Sequence, residues 1–326
     1  MKSFKVLLRA LILLAICCHL TAASSYAYWI WTPKSGKWVN PKYAPKGTPR
    51  EQYDWAMQFY LAKDYPRAIS EFKKMIKVYP QSELAPDAQY YTGRSYEERR
   101  DYYAAFLAYQ KVIDVYPRSE LTDEIIERQY RIGNQYFSGQ KEKVLGIELL
   151  PAIDKALEIF DKVVANAPYG KYADLAQFKI GECYKKNSQY KEAADAFSKI
   201  VSDYPKSLLY EQARYESAYC IYKMSFKANY DQEPTEEAIK EFEDFVKSGE
   251  AGDTIKEADL ALARLQETKA ESLYNTARFY ERSKHYESAL VYYKEIVDTY
   301  SKTKWGTKAF SKITELEKRL QRQNKR

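Results

Sequence analysis

Three stretches of the chain are one sequence written three times: "DYPRAISEFKKMIKVYPQSE" (64–83), "DYYAAFLAYQKVIDVYPRSE" (101–120) and "QYKEAADAFSKIVSDYPKSL" (189–208). In each, an aromatic follows a polar turn residue, an alanine comes three residues on, an aromatic four after that, then an aliphatic or Met three later. Tyr-Pro ends the run. Steps of three and four put these side chains on one face of a helix. Proline stops the helix by removing a donor and restricting the residue before it. Weaker copies at 150–168, 234–250 and 285–301 complete a series of alanines at Ala68, Ala105, Ala156, Ala193, Ala238 and Ala289. Ahead of each copy, "YDWAMQF", "YYTGRSY", "YRIGNQY", "FKIGECY", "YESAYCI" and "YNTARFY" predict a partner helix. Its small residue (Ala56, Gly93, Gly133, Gly181, Ala218, Ala277) admits a close neighbour, and the alanines of the second helix are expected to fill the matching holes.

This is the tetratricopeptide-repeat pattern, in which a helical hairpin hides its apolar face only against its neighbours. The expected fold is all-α: a superhelical solenoid of about six helical hairpins with a C-terminal capping helix. Successive alanines lie 37, 51, 37, 45 and 51 residues apart, more than the plain repeat of about 34. The extra residues are expected to lengthen helices and turns, notably around "SGQKEKVLGIE" (138–148) and "SFKANYDQEPT" (225–235). Trp305 and the helix to about 320 should close the last apolar face. The division read from the chain is a signal peptide at 1–27, a tryptophan-rich N-terminal cap segment at 28–47, repeats at 48–301, and a capping helix with a basic tail at 302–326.

The first 27 residues place Lys2, Lys5 and Arg9 before the apolar run "ALILLAICC" and the small-residue stretch "TAASSYA". That order is a secretory signal, and the run is short of the roughly 20 residues a membrane-spanning helix needs. The mature chain is therefore expected to have no transmembrane helix and to begin after Ala23 or Ala27. A lipoprotein reading competes, with Cys17 or Cys18 acylated. Ile16 is bulkier than the Gly, Ala or Ser usually found before such a cysteine, so the expectation is an unacylated chain.

Without the basic residues of the signal, 49 Lys and Arg face 45 Asp and Glu. No clustered basic surplus precedes the terminal "KRLQRQNKR", so a nucleic-acid partner is not expected. Beyond the signal, only Cys183 and Cys220 remain. They occupy the same position of neighbouring repeats, too far apart for a disulfide, and read as buried free thiols. His285, in the polar turn "SKHYES", is the only histidine outside the signal. One imidazole assembles no His-based triad or metal site. Phosphate-loop, dinucleotide and nucleophile-elbow motifs are lacking. The expectation is no catalysis, no cofactor and no metal.

Long-spaced repeats ending in "YP-x-S" behind an export signal resemble the outer-membrane assembly lipoprotein family called BamD, YfiO or ComL. "AISEFKKMIKVYPQSELAPDAQYYTGRSY" and "AAFLAYQKVIDVYPRSE" look like its first repeats, and the resemblance covers residues 48 to 301. It implies a periplasmic scaffold associated with the outer membrane, partnered by the barrel-inserting protein and by outer-membrane protein precursors. The repeat protein of the Tol-Pal system has similar units, so a cell-envelope adaptor is the alternative.

The concave wall of such a solenoid is lined by the first helix of each unit. Three residues before each small residue stand Tyr53, Tyr90, Tyr130, Phe178, Tyr215 and Tyr274, an aromatic ladder suited to an extended or amphipathic peptide. The same position also serves as half-buried repeat scaffolding. The next groove position, Met57, Arg94, Asn134, Glu182, Tyr219 and Arg278, is mixed in charge. Arg94 is the candidate for a C-terminal carboxylate. Finally, "WIWTPKSGKWV" reads as a short hairpin with Trp29 and Trp31 on one face and Trp38 returning. It is expected to cap the first repeat against "YDWAMQFY", with contact at a membrane interface as the other reading.

Overall fold

The computed structural model describes residues 29–32, 36–40, 44–139, 143–144, 147–148, 152–225, 233–248 and 254–323. The signal peptide, with Ala23, Ala27, Cys17 and Cys18, lies outside them, as do 226–232 and the end of the basic tail. Thirteen helices occupy the described residues. They are α1 (Pro49–Leu61), α2 (Tyr65–Val78), α3 (Ala85–Glu98), α4 (Tyr102–Val115), α5 (Thr122–Phe137), α6 (Ala152–Asn166), α7 (Ala173–Lys186), α8 (Tyr190–Asp203), α9 (Tyr210–Ser225), α10 (Glu233–Ser248), α11 (Thr254–Arg282), α12 (Tyr286–Thr299) and α13 (Lys304–Gln323). The expected six hairpins and closing helix are all there. Residues up to Thr92 form one compact unit and those from Gly93 onward a second. Within the second unit, each helix from α4 to α13 packs on the next, and α4 on α6, α9 on α11 and α11 on α13 add contacts one helix further along.

What fills the notch at each of the three helical glycines of the series is a ring. A Cβ added at Gly93 would lie 2.6 Å from the Tyr109 ring, at Gly133 2.7 Å from Phe160, and at Gly181 2.6 Å from Phe197. These rings stand four residues after the repeat alanines. They and their counterparts Phe72, Phe242 and Tyr293 are the best-buried aromatics of their hairpins, and the six alanines are fully buried too. The alanines thus serve the core without being the knobs in the notch, because a methyl group is too short to reach across. Burying each ring contributes about 2 to 3 kcal/mol by area alone.

Where the ring is tyrosine, its hydroxyl has a dedicated acceptor. Tyr109 donates to Glu97 at 2.6 Å and Tyr293 to Glu281 at 2.8 Å. Each carboxylate also takes a cation from the following helix, Arg128 on Glu97 and Lys312 on Glu281, both at 3.0 Å. One device therefore ties three helices together at two places.

The turns are equally regular. Lys63, Arg100, Ser188 and Lys284, each seven residues after the small residue, have φ of 60°, 63°, 59° and 65°. Each closes its helix with paired bonds of the kind in which Lys63 N donates to Tyr60 O and Asp64 N to Phe59 O, a left-handed ending usually given to glycine. The serine of "YP-x-S" has its own task. Ser82, Ser119 and Ser207 Oγ accept from the backbone N of Leu84, Leu121 and Leu209 at 3.2, 3.3 and 3.0 Å, turning the chain into the next hairpin.

The extra length is distributed as expected in part: α11 runs for 29 residues. At 138–148 the structure adds a feature not foreseen, a minimal antiparallel pair of Lys143–Val144 with Ile147–Glu148. At the C-terminal end, Trp305 packs on Tyr274 at 4.9 Å and Leu316 is fully buried, so α13 covers the last apolar face.

At the other end, β1 (Ile30–Thr32) pairs with β2 (Lys37–Val39), with Trp31 opposite Trp38. The hairpin is there, and its tryptophans stand largely in solvent. Trp29, Trp31 and Trp38 are 61%, 49% and 62% exposed, and the two strand tryptophans meet edge to face at 5.8 Å. Three-residue strands satisfy one another and leave the indoles in solvent. Lys46 covers α1 instead. Its N donates to Gln52 Oε1 at 2.9 Å, its O accepts from Tyr79 at 2.5 Å, and its ammonium lies 4.2 Å over the Trp55 ring.

Two opposed substitutions in one hairpin test this account. Gly181→Ala should destabilise by about 1 to 2 kcal/mol, because overpacking against buried Phe197 outweighs better helix propensity. Ser188→Gly, seven residues on, should stabilise by about 0.5 to 1 kcal/mol by relieving the left-handed backbone. Urea midpoints of the two variants should move in opposite directions.

Candidate functional site

The ladder residues sit on the same helices as the small residues, one turn earlier. Tyr53 rests on Phe72 at 5.8 Å, Tyr130 on Phe160 at 5.7 Å, Phe178 on Phe197 at 5.1 Å, Tyr215 on Phe242 at 6.2 Å and Tyr274 on Tyr293 at 5.3 Å. Each leans on the notch-filling ring of its own hairpin. Tyr90 meets Tyr91 at 5.3 Å. Tyr90, Phe178 and Tyr274 are buried, which leaves Tyr53, Tyr130 and Tyr215 partly exposed.

These three differ in their polar surroundings. Burial, with the charge of Asp87 next in weight, pushes the Tyr53 hydroxyl above the ordinary tyrosine range. Tyr215 is raised by burial and by its hydrogen bond to Glu257 at 3.0 Å, and it stacks on Tyr219 at 6.1 Å. Tyr130 stacks on Tyr172 at 5.1 Å. Tyr215 and Tyr130 thus each offer a pair of rings. Arg94 is held within its own helix by Glu98 at 3.7 Å, so a carboxylate there would compete with an existing ion pair.

Around the ladder run features the sequence reading missed. A glutamine stands four residues before the small residue in four units: Gln52, Gln89, Gln129 and Gln177, all buried. Gln52 Nε2 donates to Glu71 O at 3.1 Å and Gln177 Nε2 to Ala196 O at 2.9 Å, each clamping the second helix of its hairpin. Gln129 donates to Gln110 Oε1 at 3.0 Å, which also accepts from Asn166 at 2.8 Å. The recurrence was visible as a column of four glutamines, but a polar residue on an apolar face reads as solvated until its acceptor is seen. An open pocket of about 530 Å³ lies between the turns at Tyr169 and Pro205, walled by Tyr169, Lys171, Asp174, Tyr204 and Lys206. Asp174 there accepts from the Ser207 hydroxyl at 2.6 Å.

Cys183 and Cys220 are fully buried free thiols. Burial pushes both up to about 12, so neither is a thiolate nucleophile near neutral pH. Among the described residues no group of three or more His, Cys, Asp or Glu is placed to hold a metal ion, and no helix is long and apolar enough to cross a membrane. The thiols give a signed pH dependence. The folded chain keeps both protons to about pH 12, whereas an unfolded thiol releases its proton near pH 8.5 to 9. Stability should therefore fall as pH rises through that window. Iodoacetamide at pH 8.5 should label neither cysteine in the native chain and both in urea.

With this geometry in place, comparison with known proteins is informative. The family described as YfiO, outer membrane lipoprotein, matches residues 45–183 and 150–326. A BamD outer membrane protein assembly factor of Caulobacter vibrioides is 22% identical over 162 residues, 50% of this chain and 53% of that protein. One of Rickettsia prowazekii is 23% identical over 161 residues, 49% and 64%. The chain thus spans between half and two thirds of the length of the curated relatives it matches. A thermophilic TPR protein of Thermus thermophilus aligns with 66% of this chain and 99% of its own at 14% identity and a TM-score of 0.31. The family match extends over nearly every helix described above, and the chain belongs to the YfiO family of outer membrane lipoproteins.

Proposed function

We propose that this protein is a non-catalytic periplasmic scaffold, associated with the outer membrane, that binds partner proteins during assembly of outer-membrane β-barrels. The observation that carries this reading is the family match over residues 45–326, supported by two relatives whose names are those of assembly factors. The fold suits the task. Repeats whose cores are closed by their own rings leave side chains at the rim of each hairpin for a partner.

Within this reading, the partly exposed ladder tyrosines are the partner-binding residues. Tyr130 with Tyr172, and Tyr215 with Tyr219, each present a stacked pair. Aromatic pairs of this kind add contact area at little entropic cost. Buried Tyr90, Phe178 and Tyr274 would hold the others in place, and Arg94 would engage a partner's carboxylate beside Glu98.

The proposed lipid anchor of the family bears on Cys17 and Cys18. The description of the family as lipoproteins favours acylation there, against the unacylated expectation drawn from Ile16. The intact mass of the exported chain decides between them.

Affinity purification from the native envelope should recover barrel-assembly components. Recovery of Tol-Pal components in their place would transfer the protein to the adaptor reading. A photo-crosslinking residue at 130 or 215 should capture the same partner, whereas one at buried 178 should not. Tyr130→Phe/Tyr215→Phe keeps the ring packing, so it should leave the unfolding free energy from urea titration within about 1 kcal/mol of the parent while weakening capture by about 1 to 2 kcal/mol. Capture unchanged by this pair, with crosslinking absent at both positions, would remove the tyrosines from the interface.

A further inference from the structure

The N-terminal hairpin holds three of the five tryptophans of the chain, and none of the three is buried. Trp29 and Trp38 are exposed by about three fifths and Trp31 by half, with Ile30 beside them 46% exposed. Cross-strand pairing sets Trp31 against Trp38, and alternation along the strand brings Trp29 to the same face as Trp31. A two-stranded hairpin of three-residue strands is marginal in water and gains stability only from what its faces meet. Its charge says what that is. The sequence has no acidic residue before Glu51, while Lys34, Lys37, Lys42, Lys46 and Arg50 fall between residues 28 and 50.

We infer that this hairpin docks on an anionic bilayer surface, with Trp29, Trp31 and Trp38 lying at the headgroup boundary and the neighbouring lysines drawn to acidic lipid. Indole suits that boundary because its ring is apolar and its N–H donates to water or headgroup oxygens. Each lysine near an anionic surface adds attraction that acts within about a Debye length. A protein partner would need acidic surface to match the same cations and an apolar groove to take indoles from a three-residue hairpin; a bilayer supplies both without shape complementarity. The proposal stands on the hairpin alone and does not depend on the assembly role.

The test uses the full exported chain and vesicles containing doxyl-labelled lipid, with no other protein present. With phosphatidylglycerol in the vesicles, tryptophan emission should shift to shorter wavelength and be quenched. With phosphatidylcholine alone both effects should be several-fold weaker. Trp29→Ala/Trp31→Ala/Trp38→Ala should lose most of the quenching, leaving half-buried Trp55 and Trp305 to report an unperturbed fold, with the helical circular dichroism unchanged. Lys34→Gln/Lys37→Gln/Lys42→Gln should bring quenching in anionic vesicles down to the neutral-vesicle level. A lipid anchor would hold parent and variants to the vesicle alike, so the difference in quenching still reads the hairpin. Emission of the parent unchanged on vesicle addition would overturn the proposal, as would quenching equal in the tryptophan variant. So would quenching indifferent to lipid charge, or crosslinking of the hairpin to an envelope protein while its indoles stay unquenched. None of the vesicle results would bear on the assembly reading, since the vesicles contain no partner protein.

Discussion

Everything regular in this structure depends on a ring lying against a residue with almost no side chain. A helix can approach its partner closely only where a small residue leaves room, and the ring from the partner then fixes both the distance and the sliding register. In this chain the pairs are Gly93 with Tyr109, Gly133 with Phe160 and Gly181 with Phe197. Because the notch is on the first helix and the ring on the second, a hairpin completes this contact within itself. What it cannot complete is its outer face, which is why Glu97 and Glu281 reach to Arg128 and Lys312 of the following helix. Repeat proteins divide stability into such intrinsic and nearest-neighbour parts.

That division explains how much could be read from the sequence. The alanines, the small residues, the following aromatics and the terminal Tyr-Pro all recur at fixed offsets, so helix number, pairing and ends were legible. The hydrogen bonds were not, although a trace of them was present. Tyrosine replaces phenylalanine at this repeat position only at 109 and 293, the two hairpins with a glutamate four residues after the small residue. Elsewhere that place is Tyr60, Phe137, Lys185 or Tyr222, and the ring is Phe. A buried hydroxyl left without a partner costs about 1 to 3 kcal/mol, so ring and carboxylate are chosen together.

The direction of the ladder follows from helix geometry. Three residues along a helix is a turn of about 300°, so a ladder residue lies only about 60° from the small residue it precedes. It must therefore flank the notch, and Tyr53, Tyr130, Phe178, Tyr215 and Tyr274 all touch the ring that fills it. Position alone does not say which of them reach solvent. That depends on what the next turn places over them: Trp305 over Tyr274, Tyr172 beside Tyr130.

The two ends of the chain meet the same problem with opposite chemistry. A stack of hairpins always finishes with an unmatched face, and at the C-terminal end α13 lays Trp305, Ile313, Leu316 and Leu320 onto it. Here the indole is spent inward, as a fifth wheel of the last core. At the N-terminal end the corresponding work falls to Lys46, a residue whose backbone and ammonium together satisfy Gln52, Tyr79 and Trp55. The tryptophans just ahead of it are thereby released from the fold. The packing of the chain's own core does not use these exposed indoles, and on the membrane-docking proposal they carry a recognition chemistry separate from the chemistry that folds the chain.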